Sequence, residues 1–170
     1  ARLGERLGVR LLEGCIIDGR PDVALALLRA SESRAAESGG GDGGGHSTPT
    51  SWRELCLRAC ASGSYGAEAR ALLVQLGGAP SVGGDLVADA VRASSKSCDW
   101  ADVLELARAM PAGSSRGSVS AVSVDAITAH CELGDIDSAF AEFEALLPSA
   151  SASTSPGTAP ASDKAAAAAA

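Results

Sequence analysis

The sequence predicts an all-α fold, a solenoid of about four helix-turn-helix repeats, each about 35 residues long. Three observations carry the prediction. A polar or glycine turn followed by an alanine- or valine-anchored helix recurs at Gly19–Leu28, Ser64–Leu73, Cys98–Ala107 and Gly134–Phe143. Of the 170 residues, 46% are hydrophobic and only 3% aromatic, so the apolar material is chiefly Ala, Leu and Val, which suits helices that approach closely. Proline falls at the ends of the helical segments, at Pro21, Pro49, Pro111 and Pro148, where it interrupts no helical hydrogen bond.

Taking Ala24, Ala69, Val103 and Ala139 as anchors, the repeats are 45, 34 and 36 residues apart. The long first interval contains the run Gly39–Gly45, and removing about ten residues there brings every interval near 35. Ten residues before each anchor lie the small residues Gly14, Ala59, Ala93 and Ala129. Twelve before lie the aliphatic residues Leu12, Leu57, Val91 and Ile127. A small residue on each helix of a hairpin lets the backbones close up, while the aliphatic one fills the space between them.

The elements follow in order. Hairpin 8–34 has Pro21 in the first turn of its second helix. Residues 1–7 finish a cap or continue another repeat, and the glycine-rich stretch 35–50 is a flexible insertion. Hairpin 51–77 opens on Ser51-Trp-Arg-Glu54, which reads as a capping box, and stops at Gly77-Gly78. Hairpin 85–112 has Asp99 placed to cap its second helix and Pro111 to end it. Hairpin 120–148 uses Asp135 and Pro148 in the same way. Residues 149–170 form a Ser/Ala/Pro/Thr tail that ends in unbroken alanine. The repeat domain is thus 1–148. The chain begins at Ala1 rather than Met, which reads as a processed chain or a fragment.

Charge and cysteine content exclude several functions. The formal net charge is −7, distributed unevenly: residues 1–58 carry eight basic and eight acidic groups, and residues 117–170 one and seven. A polyanion contact therefore belongs near the N-terminus, where Arg2, Arg6 and Arg10 recur every four residues along one helical face. The same spacing also describes a solvated face. Asparagine is absent, so there is no N-glycosylation sequon. No apolar run approaches the roughly 20 residues that span a bilayer. Five cysteines cannot all pair; Cys56 and Cys60, four apart, read as small core thiols rather than half of a zinc site. No catalytic constellation emerges: His46 lies in the glycine-rich loop, and His130 and Cys131 are neighbours that do not face each other on a helix. Gly39–Gly45 lacks the Lys-Ser/Thr of a phosphate cradle. Trp52 and Trp100, near helix starts, read as packing rings. The expectation is a non-enzyme with no cofactor, no metal and no small-molecule substrate.

The motif Ala129-His-Cys-Glu-Leu-Gly134-Asp-Ile-Asp-Ser-Ala139-Phe-Ala-Glu-Phe-Glu-Ala-Leu146 resembles the pentatricopeptide repeat, as does Gly14-Cys-Ile-Ile-Asp-Gly19-Arg-Pro-Asp-Val-Ala24-Leu. The resemblance covers residues 8–148 and is degenerate in the middle two units. The tetratricopeptide repeat is the second choice, but it usually carries Gly where this chain has Leu12, Leu57, Val91 and Ile127. The resemblance implies a right-handed α-solenoid and a mitochondrial location, with the plastid as alternative. Typical members bind single-stranded RNA, reading one base per repeat with two polar positions. Carried over, the first position falls on Arg10, Leu55, Asp89 and Asp125, and the second on Gly40, Asp85, Val119 and Ser155. None of the usual Asn, Thr or Ser occupies the first. These departures point to a degenerate scaffold subunit of an organellar ribonucleoprotein such as the mitochondrial ribosome, docking other protein subunits and touching rRNA backbone through the arginines. The alternatives are a sequence-specific single-stranded RNA-binding factor for transcript processing and a protein–protein adaptor in an organellar complex.

Overall fold

The computed structural model describes residues 3–37 and 48–147. The described residues contain eight α-helices and no strand. The helices are α1 (Leu3–Ile17), α2 (Pro21–Glu37), α3 (Thr50–Cys60), α4 (Gly66–Gln75), α5 (Gly84–Lys96), α6 (Trp100–Arg108), α7 (Arg116–Glu132) and α8 (Ile136–Leu146), with one 3₁₀ turn at Ala79–Ser81. Each odd-numbered helix packs on the even-numbered one that follows it. Further contacts join α1 to α3, α3 to α5 and α5 to α7, and α2 to α3, α4 to α5 and α6 to α7. The odd helices thus form a contiguous row, and each even helix reaches the next hairpin through that hairpin's first helix.

The anchor positions lie where apolar burial is complete. Ala24, Ala69 and Val103 are 0% exposed and Ala139 is 5% exposed. Leu12, Leu57 and Val91 are fully buried, as are Ala59, Ala93 and Ala129. Two members of these columns depart. Ile127 is only half-buried, because no helix follows α8 to cover it among the described residues. A Cβ added at Gly14 would meet nothing within 4 Å, so no close helix approach is made there.

Helix ends depart from the sequence reading in instructive ways. Helix α1 begins at Leu3 rather than near residue 8, since no breaker precedes it, and α2 runs on to Glu37. Helix α7 begins at Arg116 rather than 120, because Ser115 caps it by accepting from the Ser118 N–H at 3.2 Å. Pro49, not Ser51, is the N-cap of α3, and no side chain caps that end; Ser51 is already inside the helix, so the capping box does not form. Asp135 caps α8 by accepting from the Ser138 N–H at 3.2 Å, whereas Asp99 stands at the N-cap of α6 without a side-chain bond. The ends of the inserted segment are tied together: Ser31 and Thr48 share a hydroxyl hydrogen bond at 3.2 Å, and Arg53 pairs with Glu32 at 3.0 Å. Gly39–Gly45 and His46 within it, Pro148 and the 149–170 tail all lie outside the described residues.

Three of the four hairpin turns share one closure. The amides of Arg20, Asp99 and Asp135 donate back to the carbonyls of Cys15, Ser94 and His130 at 2.8, 3.0 and 2.8 Å. This closure places the preceding residue in the left-handed region: Gly19 at φ 62°, Cys98 at φ 58° and Gly134 at φ 78°. Cys98 does there what glycine does in the other two, at the steric cost of a Cβ. Cys98→Gly is expected to stabilise the chain by about 0.5–1 kcal/mol, the strain relieved being offset in part by a freer unfolded chain. Urea denaturation checks this, and an unchanged or lower midpoint contradicts it.

Candidate interaction surfaces

The first surface is the row of odd helices. At the expected first readout position, Arg10 is exposed and donates to Glu13 at 3.0 Å, while Leu55 is half-buried. Asp89 pairs with Arg92 at 3.0 Å, and burial raises its carboxyl above the usual range against the pull of Arg92. Asp125 is half-buried. At the second position, Asp85 accepts from the hydroxyls of Ser118 and Ser115, and Val119 is exposed and apolar. Gly40 and Ser155 lie outside the described residues. Asp85, Asp89 and Arg92 do line one shallow pocket with Ser115, Gly117 and Ser118. Its two carboxylates oppose a phosphate, so this pocket offers no base-reading register and little affinity for RNA backbone.

The arginine stripe is only partly visible. Arg2 lies outside the described residues; Arg6 and Arg10 are exposed on α1 and line a shallow depression with Glu5, Val9 and Glu13. The two glutamates share the face with the arginines, so the local field is close to neutral. A phosphate contact there would compete with the Arg10–Glu13 pair.

The second surface is the end of the array. Ile127 and Cys131 of α7 form an apolar groove with Ile136, Ala139, Phe140 and Phe143 of α8. Phe140 is 64% exposed and Phe143 49%. Cysteine chemistry divides along the same line. Cys15, Cys56 and Cys60 are buried, and desolvation pushes the Cys56 and Cys60 thiols up to about 12, which leaves almost no thiolate at neutral pH. Cys98 and Cys131 are exposed.

A third feature is a cleft of about 150 Å³ between α6, α7 and α8, lined by Leu104, Met110, Val122 and Ala126 with Arg108, His130 and Glu142. His130 is 8% exposed. Its Nδ1 sits 3.3 Å from Asp135 Oδ2 and makes no hydrogen bond. The Ser138 hydroxyl and N–H, with His130 beside them, hold the Asp135 carboxyl below the usual range. Nine residues before each anchor, Cys15, Cys60, Ser94 and His130 are all buried, a column that sequence reading missed because the four side chains share no chemistry. His130 is thus one member of a packing column, and its neighbour Cys131 points away to the surface.

Among the described residues no helix is long and apolar enough to cross a membrane, and no group of three His, Cys, Asp or Glu residues is placed to hold a metal ion. No protein-family model, curated protein or solved structure matches the chain.

Proposed function

We propose that this chain is a non-catalytic, pentatricopeptide-like scaffold subunit of an organellar ribonucleoprotein, with the mitochondrial ribosome as the assembly. In this reading the four hairpins form a right-handed α-solenoid that offers its odd-helix row and its ends to neighbouring proteins, with Arg2, Arg6 and Arg10 against rRNA backbone. One observation carries it. The packing columns Leu12/Leu57/Val91, Ala59/Ala93/Ala129 and Ala24/Ala69/Val103 are buried throughout, whereas the first of the two positions that would read bases carries Arg10, Leu55, Asp89 and Asp125, with no hydroxyl or amide side chain among them. A repeat that keeps its packing residues and lacks its readout residues serves through shape.

The test is sedimentation of organelle extract containing the tagged full-length chain. Co-migration with ribosomal particles is expected, and a chain running free of them overturns the proposal. Salt then separates the modes of attachment. Contact through phosphates weakens steeply as salt rises, while apolar helix docking changes little. Arg6→Glu with Arg10→Glu should reduce attachment only in the first case.

A further inference from the structure

Every internal junction between hairpins is assembled from the same columns, and the first and last hairpins among the described residues expose the two halves of one more. On the incoming side, seventeen and thirteen residues before the anchor, α3 presents Trp52 and Cys56, α5 Leu86 and Ala90, and α7 Val122 and Ala126. All are buried except Trp52, which is half-buried. The equivalent residues of α1 are Leu7 and Leu11, 61% and 48% exposed. On the receiving side, one and four residues after the anchor, Leu25 and Leu28 are buried, Arg70 and Leu104 half-buried, Leu73 buried and Ala107 half-buried. The equivalents on α8 are the exposed Phe140 and Phe143.

We propose that the chain associates head to tail, the α1–α2 end of one copy seating on the α7–α8 face of the next. The interface continues the one already made three times within the molecule, and it does not depend on the ribonucleoprotein reading. Charge disfavours the symmetric tail-to-tail pairing, and the match to the internal junctions, each made between unlike faces, favours head to tail over head to head. Helices α7 and α8 with their connecting turn carry Asp125, Glu132, Asp135, Asp137, Glu142 and Glu144 against Arg116 alone. Tail-to-tail pairing would therefore bring two strongly acidic hairpins together. The α1–α2 end interleaves Arg6, Arg10, Arg20, Arg29 and Arg34 with its carboxylates, so it meets the acidic face without that repulsion. Side-chain size fits the same purpose. Leu11, Phe140 and Phe143 are larger than most of their internal counterparts, and a junction between separate molecules needs more apolar area to offset the freedom lost on association. Such an interface is heterologous, so assembly of copies of this chain continues past the dimer, to a ring or to an open chain.

Sedimentation velocity and light scattering on the full chain, over low to high micromolar concentration, provide the test. The expected result is a mass that rises with concentration past the dimer. Phe140→Asp and Leu11→Asp should each weaken association by more than about tenfold, with helicity by circular dichroism unchanged because both positions are exposed. Leu7→Asp is the substitute should Leu11→Asp misfold. Mixing is the decisive arm. Phe140→Asp retains an intact α1 end and Leu11→Asp an intact α8 face, so the equimolar mixture should give a heterodimer and nothing larger. A wild-type monomer at every concentration, a mixture that stays monomeric, or a dimer abolished by one of Phe140→Asp and Leu11→Asp and untouched by the other would each overturn the proposal.

Discussion

Leu57→Ala is expected to cost about 2–5 kcal/mol, the range for emptying a fully buried leucine site that cannot collapse. Leu57 is 0% exposed on α3. That helix contacts α1, α2, α4 and α5, so four neighbours would have to move to fill the void. The midpoint of thermal unfolding should fall on the order of 10 °C for a chain of this size. Ile127→Ala, in the same column of the last hairpin, is the matched comparison. Ile127 is half-buried beside the open end groove, and its truncation should cost about 1 kcal/mol. Equal losses from the two substitutions in chemical denaturation would show that the column does not distinguish interior from end.

Gly66→Val is the second large effect. Gly66 opens α4 against α5, and a Cβ there would lie 2.9 Å from the Cα of Ser94 and 3.0 Å from the Ser97 hydroxyl oxygen. The first obstacle is backbone, so no rotamer change relieves it and the two helices must separate. The same movement stretches the bond from the Gly66 N–H to the Ser97 hydroxyl, now 2.9 Å. The expected loss is about 1–3 kcal/mol or more, the cost of overpacking a well-filled contact. Gly14→Ala is the control: its Cβ enters open space, so helix propensity alone should stabilise it by about 0.5–1 kcal/mol. A stabilised Gly66→Val would mean that α4 and α5 are not held at the distance described.

The contrast between these two glycines shows how far sequence could reach. Both sit in a helix beside an apolar column, and only the structure tells that one meets a backbone and the other meets nothing. The Ala24, Ala69, Val103 and Ala139 anchors were legible because burial at those sites selects small or branched apolar types repeatedly. The buried column of Cys15, Cys60, Ser94 and His130 was not, because what those positions have in common is burial beside a turn rather than side-chain chemistry. Leu7, Leu11, Phe140 and Phe143 read like ordinary core residues, since exposure at an end depends on whether another helix arrives. The arginine stripe was visible as spacing, but its neutralisation by Glu5 and Glu13 on the same face required coordinates.

The two rows of helices are fastened by different forces. Along the odd row the contacts are mainly apolar and short-ranged, with Asp85 of α5 accepting from Ser118 of α7 as a polar addition. Between α4 and α6 the fastening is Arg70, clasped by Asp102 and by Glu105 at 2.7 Å, with Glu105 mostly exposed. At 2.7 Å the pair lies well inside the Debye length, roughly 8 Å at physiological salt, so dissolved ions weaken it only in part. Rising ionic strength is therefore expected to weaken the Arg70 pairs while the α4–α5 packing at the same junction holds.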